Sequence, residues 1–330
     1  LGDVYKRQFK NSEKIIPIFI FTPEQIHPKK NDYFSDNAVQ FMIESLKDVY
    51  DESGKKIHYF YGDNIKILRK IFNAIDVKSV CFNIDYTPYA IFRDNAIANL
   101  CAEYNVECRT FEDYLLFPIG QMNKKDQTAY IVFTPFRNNV MTHAKKIPKP
   151  KGKPKSKFSN PPREFLKIKG YMSKNKLDDL YITNNEILVR GGRDAAKKHF
   201  AKAMSRSKRY SKNRNNLTYE TTQLSAYIKF GNLSIREVFH GIIKGVGNKE
   251  SRDNLISQLI WREFYYYIAY YYPYVLDKSV NRGKNKNFQE KYDKLKWKYS
   301  KSKFLAWKDG MTGYSIVDAG MRQLATTGYM

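Results

Sequence analysis

Residues 258–265 read Q-L-I-W-R-E-F-Y, a run that could recognise a flat ligand. On a helix, Gln258, Trp261, Arg262 and Tyr265 share one face. An indole stacks on a heteroaromatic ring, an amide hydrogen-bonds a base edge, and a guanidinium grips phosphate with paired bonds. Taken alone, an aromatic helix face is more often core. Upstream, Tyr210-Ser211-Lys212-Asn213-Arg214 precedes Thr221-Thr222-Gln223-Leu224-Ser225. Hydroxyls and backbone N–H groups at a helix start make a phosphate cradle, although Ser and Thr also cap helices with no ligand nearby. Lys198, Lys202, Arg206 and Arg209 recur at i, i+4, i+8 and i+11. Such a stripe neutralises phosphates without reading sequence; the alternative is a solvated helix face. Asp318 and Arg322, four apart, read as a structural helix pair.

Alternating strands and helices must position these groups. Strands are expected over Ile15 to Phe21, Lys56 to Tyr61, Val77 to Asn83 and Val106 to Phe111. Helices are expected over Asn37 to Tyr50, Ile65 to Ile75 and Tyr89 to Tyr104. That alternation predicts an α/β N-terminal domain with a parallel, doubly wound sheet, over 11–144. The Lys/Pro-dense run from Lys145 to Pro162 opens a basic linker, 145–190, expected to be extended and solvated. An all-helical domain follows over 191–330. Its helices run from about Arg193 to Arg209, from an S-x-x-E capping box at Ser234 to Gly245, and from Arg252 to Tyr272, where Pro273 stops the last. Residues Leu1 to Gln8 match no periodicity and are left out of the fold argument.

Composition narrows the function classes. Fifty-eight Lys and Arg against thirty-three Asp and Glu give a net charge of +25, which points to a polyanionic partner, nucleic acid above all. No apolar run reaches membrane-spanning length and no signal peptide is evident. Three cysteines without C-x-x-C spacing fit a reducing compartment. The five histidines lack metal-ligand spacing, so no metal is expected. Gly245-Val246-Gly247 continues to Glu250, not glycine, and follows a helix, which excludes a dinucleotide fingerprint.

Several motifs together resemble the photolyase/cryptochrome family. Leu259 to Tyr265 looks like its L-I-W-R-E-F-Y motif. Thr221 to Arg236 resembles T-S-x-L-S-P-Y-L-x-F-G-x-L-S-x-R, with Ala226 at the usual proline. Asp85 to Asp94 and Tyr130 to Phe136 look like N-D-Y-x-P-Y-x-x-x-R-D and Y-x-V-F-T-P-F. The last segment, Trp297 to Met330, resembles the family's flavin-binding region with its two Thr-Gly-Tyr turns. The resemblance implies that Tyr210, Thr221, Thr222, Leu224, Ser225 and Arg262 hold FAD. It implies that Trp261 and Gln258 line a pocket for a flipped DNA lesion and that Arg214 meets DNA phosphate. Trp297 matches the surface end of a tryptophan chain that reduces the flavin. The residue matching Gln258 is glutamate in many cyclobutane-dimer photolyases and glutamine in many (6-4) photolyases and cryptochromes.

The expected activity is therefore light-dependent repair of cyclobutane pyrimidine dimers, a class I-like deoxyribodipyrimidine photolyase using FAD-mediated electron transfer. The alternatives are a (6-4) photolyase or a cryptochrome photoreceptor on the same fold. An antenna chromophore, folate or deazaflavin, is a further expected cofactor; damaged DNA is the expected partner of an intracellular monomer, in cytoplasm or nucleus. The family pattern extends past both ends of the matched stretch, so the chain is expected to be a portion that binds FAD poorly and is inactive alone.

Overall fold

The computed structural model describes residues 14–150, 158–276, 295–296 and 298–330. Strand β1 (Ile18–Phe21) pairs in parallel with β2 (His58–Tyr61), and β3 (Ser79–Asn83) pairs in parallel with β4 (Glu107–Phe111). Helices α1 (Asp36–Glu52), α2 (Asn64–Ala74) and α3 (Pro88–Glu103) make the crossovers. Each start is chemically marked. The Asp63 carboxylate accepts from Lys66 N at 2.9 Å, and Thr87 caps a helix opened by Pro88, whose missing N–H costs nothing there. The parallel α/β reading holds, but the strands fall into two ladders, and a short β5 (Tyr171–Met172) adds an antiparallel pair on β2.

The stretch expected to be a solvated linker also packs. Ile147 is buried, and the His240 ring N–H donates to the Ile147 and Pro148 carbonyls at 3.2 and 3.1 Å. Further on, Phe165 and Ile168 fill the core between α2, α3 and the sheet, while Leu177 lies under α1. Lysine density hid these apolar anchors: the cations point out while every few residues one ring or branched chain turns in. Residues 151–157 lie outside the described set.

The C-terminal region is helical: α4 (Phe133–Thr142) leads to α5 (Arg193–Arg206), α6 (Ser225–Lys229), α7 (Ile235–Gly245), α8 (Lys249–Tyr271), α9 (Lys301–Lys308) and α10 (Ser315–Thr327). Ser234 caps α7 by accepting from Glu237 N at 3.0 Å, as the S-x-x-E spacing predicts. Helix α8 starts earlier than its apolar period suggests because Asn248 caps it, accepting from Ser251 N at 2.8 Å. The α5 helix ends at Arg206, and one 3-10 turn carries the chain through Arg209.

Two polar seams bind the α/β and helical regions. Along α1, Gln40, Glu44, Ser45 and Asp48 accept from Asn184 N, Gly191 N, Gly192 N and Arg193 N in turn. Gly191 lies so close to α1 that a Cβ there would overlap the Phe41 carbonyl oxygen. The second seam joins 113–123 to α7 and α8. Asp113 pairs with Arg236 at 2.6 Å, both side chains about nine-tenths buried. Glu263 accepts from Leu116 N at 2.8 Å, and Tyr267 donates to Pro118 O at 3.0 Å. Most of the largest apolar cluster lies in the helical region, yet Phe41, Tyr86 and Leu115 to Phe117 belong to it.

Candidate functional site

Helix α8 organises the site along its length. Its first turn holds the 210–213 segment: Ser211 N donates to Ser251 Oγ at 3.1 Å, and Tyr210 is buried beside it. Seven and ten residues on from Ser251, about 10 and 15 Å along the axis, Gln258 is exposed and Trp261 half-buried. The predicted residues form two groups, one in the loop 221–225 and one on α8.

The first group is the loop 221–225. Thr221 and Ser225 are exposed, Thr222 half-buried and Leu224 buried. Gln223 adopts φ +50°, and Leu224 follows at φ −95°, ψ −6°. A left-handed residue followed by a right-handed one turns successive N–H groups toward one side, a concavity suited to an anion. Left-handed backbone costs a non-glycine residue roughly 1–2 kcal/mol, so surrounding contacts must hold it. One such contact is the His199 ring N–H, which donates to Thr222 O at 3.0 Å; burial pulls the His199 pKa below its usual value, which keeps the ring neutral. Another is the 2.7 Å hydrogen bond between Ser225 Oγ and the Tyr329 hydroxyl. Tyr329 follows Gly328, whose φ of +70° ends α10 and whose bare Cα abuts Asn37 of α1.

In the second group, Trp261 stacks on Phe133 with ring centroids 3.5 Å apart and planes 5° apart, and on Tyr265 at 5.7 Å. Arg262 departs from the expected phosphate grip. Its Nη1 donates to Tyr114 O at 2.6 Å, and its guanidinium lies 4.7 Å over the Tyr266 ring. The i+1 step from Trp261 turns it toward the 113–123 seam, where Nη2 is buried without a partner. Glu263 is fully buried, and burial pushes its pKa up to about 7.

Among the predicted cations, Lys198, Lys202, Arg209 and Arg214 are exposed. Arg206 is the exception: its guanidinium is paired with Glu220. Asp318 and Arg322 brace a turn and not each other. Asp318 accepts from Thr312 N at 2.8 Å and Gly313 N at 3.0 Å, and Arg322 Nη2 donates to Gly310 O at 2.8 Å. Trp297 lies outside the described residues. Sequence reasoning passed over Glu263, Phe133, Tyr329 and His199. Only Glu263 carried a signal, as a lone carboxylate between Ile260 and Phe264 on an apolar face.

Residues 8–155 match the DNA photolyase family, and residues 255–330 match the FAD binding domain of DNA photolyase. The chain belongs to the photolyase/cryptochrome family. A deoxyribodipyrimidine photo-lyase of Alkalihalophilus pseudofirmus is 28% identical over 97% of this chain and 65% of its own length. Cryptochrome-1 of Aedes aegypti is 25% identical over 97% of this chain and 62% of its own length. The chain thus spans less than two thirds of these curated relatives. An archaeal photolyase structure from Sulfolobus tokodaii, described with two FAD molecules, superposes with a TM-score of 0.76 at 31% identity, covering 97% of this chain and 66% of that one. A class III photolyase from Agrobacterium tumefaciens shares the fold with a TM-score of 0.83 at 22% identity, covering 100% and 67%.

The photolyase/cryptochrome cofactor can be tested against the geometry. The 221–225 loop offers hydroxyls and convergent N–H groups with no carboxylate among its own residues, a donor set that fits a diphosphate. These residues fit FAD at its phosphates; Arg262, as placed, does not contribute. A second concavity of about 760 Å³ opens at the carboxyl ends of β1 and β2, lined by Ile26, Phe34, Tyr61, Leu180, Tyr181 and Ile182 among others. No helix among the described residues is long and apolar enough to cross a membrane.

Proposed function

We propose that this chain serves light-dependent repair of cyclobutane pyrimidine dimers in DNA. The observation that carries the reading is on α8, where an exposed amide and a half-buried indole, Gln258 and Trp261, sit one turn apart. The 210–213 segment docked on the same helix leads directly into Arg214. In this reading Lys198, Lys202, Arg209 and Arg214 bind the phosphate backbone without reading sequence. Trp261 stacks on the extruded dimer and Gln258 hydrogen-bonds its exposed edges; extrusion costs least where pairing is already broken. Tyr210, Thr221, Thr222, Leu224 and Ser225 hold FAD, with Tyr329 closing over Ser225. When bound, FAD supplies the one-electron chemistry that light drives. The antenna chromophore is assigned to the cleft beyond β1 and β2, since ligands of open α/β sheets bind at strand carboxyl ends.

The test is illumination of the full-length, FAD-reconstituted protein with an oligonucleotide carrying one thymine dimer, followed as dimer loss against a dark control. Light-dependent loss is expected; persistence of the dimer with bound, reduced flavin would overturn the reading. Gln258 favours a second reading, a (6-4) photolyase or cryptochrome, because the residue facing the lesion is glutamine. The same assay with a (6-4) photoproduct separates the two repair activities.

A further inference from the structure

We propose that Phe133 is a built-in stand-in for the flipped base: it covers a face of Trp261 on which an extruded pyrimidine would stack, and withdraws as the base enters. The inference rests on the reading of α8 as the lesion-facing helix. Rings 3.5 Å apart with planes 5° apart leave no room between them for another ring. The pair is also a poor one. A centroid distance equal to the stacking separation means almost no lateral offset, whereas aromatic pairs prefer offset or edge-on geometry. The neighbours obey that preference: Phe133 meets Phe264 edge-on at 5.9 Å and 76°, and Trp261 meets Phe264 at 5.8 Å and 81°. A nucleobase, with its polarised ring, is the stronger partner for an indole.

The backbone around Phe133 suits withdrawal. Phe133 is the first residue of α4, and Val132 at the N-cap provides no side-chain hydrogen bond to the helix. Ile131 and Val132 are 51% and 58% exposed, so the approach to the ring is lightly packed. One and two turns on, Phe136 and Val140 are buried and keep the rest of α4 seated while its first turn opens. Phe133 thus opposes every base that enters: an already unpaired base displaces it at a cost that removing the ring would spare, while a paired base stays in the duplex with or without it.

The test is an anisotropy titration of the protein with two labelled duplexes, one carrying a thymine dimer and one intact. Phe133→Ala is expected to raise the dimer-to-intact affinity ratio about 3- to 10-fold, with intact-duplex affinity unchanged. Phe133→Tyr, which keeps the ring, is expected to hold the wild-type ratio. Should a thermal melt show that Phe133→Ala does not fold, Phe133→Leu removes the planar ring at similar volume and carries the same expectation. An unchanged or lowered ratio in the folded variant overturns the proposal. A wild-type preference abolished by Trp261→Ala but indifferent to Phe133→Ala sinks the stand-in alone. Equal binding of both duplexes by wild type and Trp261→Ala defeats the lesion-facing reading, and the stand-in with it.

Discussion

The carboxylate of Glu263 accepts a 2.8 Å hydrogen bond from the backbone N–H of Leu116, 147 positions earlier in the chain. Glu263, two positions on from Trp261, is therefore not part of the exposed face at all. It is a buried peg that ties the helix bearing the indole to the loop leaving the α/β sheet. Arg262, Tyr267 and Tyr271 make companion bonds to Tyr114, Pro118 and Asn123.

Glu263 should give stability a specific pH dependence. Burial raises its pKa from 4.5 to about 7. The unfolded chain releases this proton near pH 4.5 and the folded one near 7, so between them the native state binds more protons and stability falls as pH rises. The loss is on the order of 3 kcal/mol across the window. Urea denaturation at several pH values should show wild type declining relative to Glu263→Gln between pH 4.5 and 7, with parallel curves below pH 4.

The Asp113–Arg236 pair should behave as a buried unit. Asp113→Ala removes the Asp113 carboxylate from a buried guanidinium and is expected to cost about 3–5 kcal/mol. The double variant Asp113→Leu/Arg236→Met should cost less than Asp113→Ala alone, because both members of the buried pair are replaced by apolar groups. Denaturant midpoints for the two variants decide this, and a costlier double variant contradicts it.

The basic stripe should report through salt. Each cation removed from a DNA phosphate reduces the slope of log K against log salt by about 0.9. Lys198→Ala and Lys202→Ala are each expected to lower the slope by that amount, equally for damaged and intact duplex. Arg206→Ala should change it far less, since Glu220 already neutralises that guanidinium.

Gln223 marks the cradle's strain. Gln223→Gly should be neutral or stabilising by up to about 1 kcal/mol, because glycine takes φ +50° freely. Gln223→Val should destabilise by about 1–2 kcal/mol and weaken FAD binding, as a β-branched residue pulls the loop out of that conformation. Thermal melts and flavin fluorescence titration separate the two effects, and equal FAD affinity in both variants would remove the loop from the cofactor site.

The elements were legible because local patterns mark them: alternating apolar runs and helical periods, the S-x-x-E box at Ser234, and the stop at Pro273. Thr221 to Ser225 and Gln258 with Trp261 stood out by residue type, but their proposed roles came from the family resemblance and not from local chemistry alone. What stayed hidden depends on distant partners. Arg262 looks like a phosphate ligand until the Tyr114 carbonyl is seen beneath it. Phe133 looks like core until its ring is found flat on an indole from another helix. The anchors Phe165 and Leu177 escaped notice because the surrounding lysines dominate any composition window.

The seam between α8 and residues 113–123 also sets the order of events at the ribosome. The Leu116 amide emerges 147 residues before its acceptor, so at 5–20 residues per second it waits roughly 7–30 s for Glu263 to be made. During that interval the loop's donors lack their α8 acceptors, and Leu115, Leu116 and Phe117 lack the helical part of their cluster, while the nascent strands are already able to pair. Synthesis of this chain therefore includes an obligatory exposed stage in its middle, a window in which a holding chaperone improves yield more than one acting on the finished polypeptide.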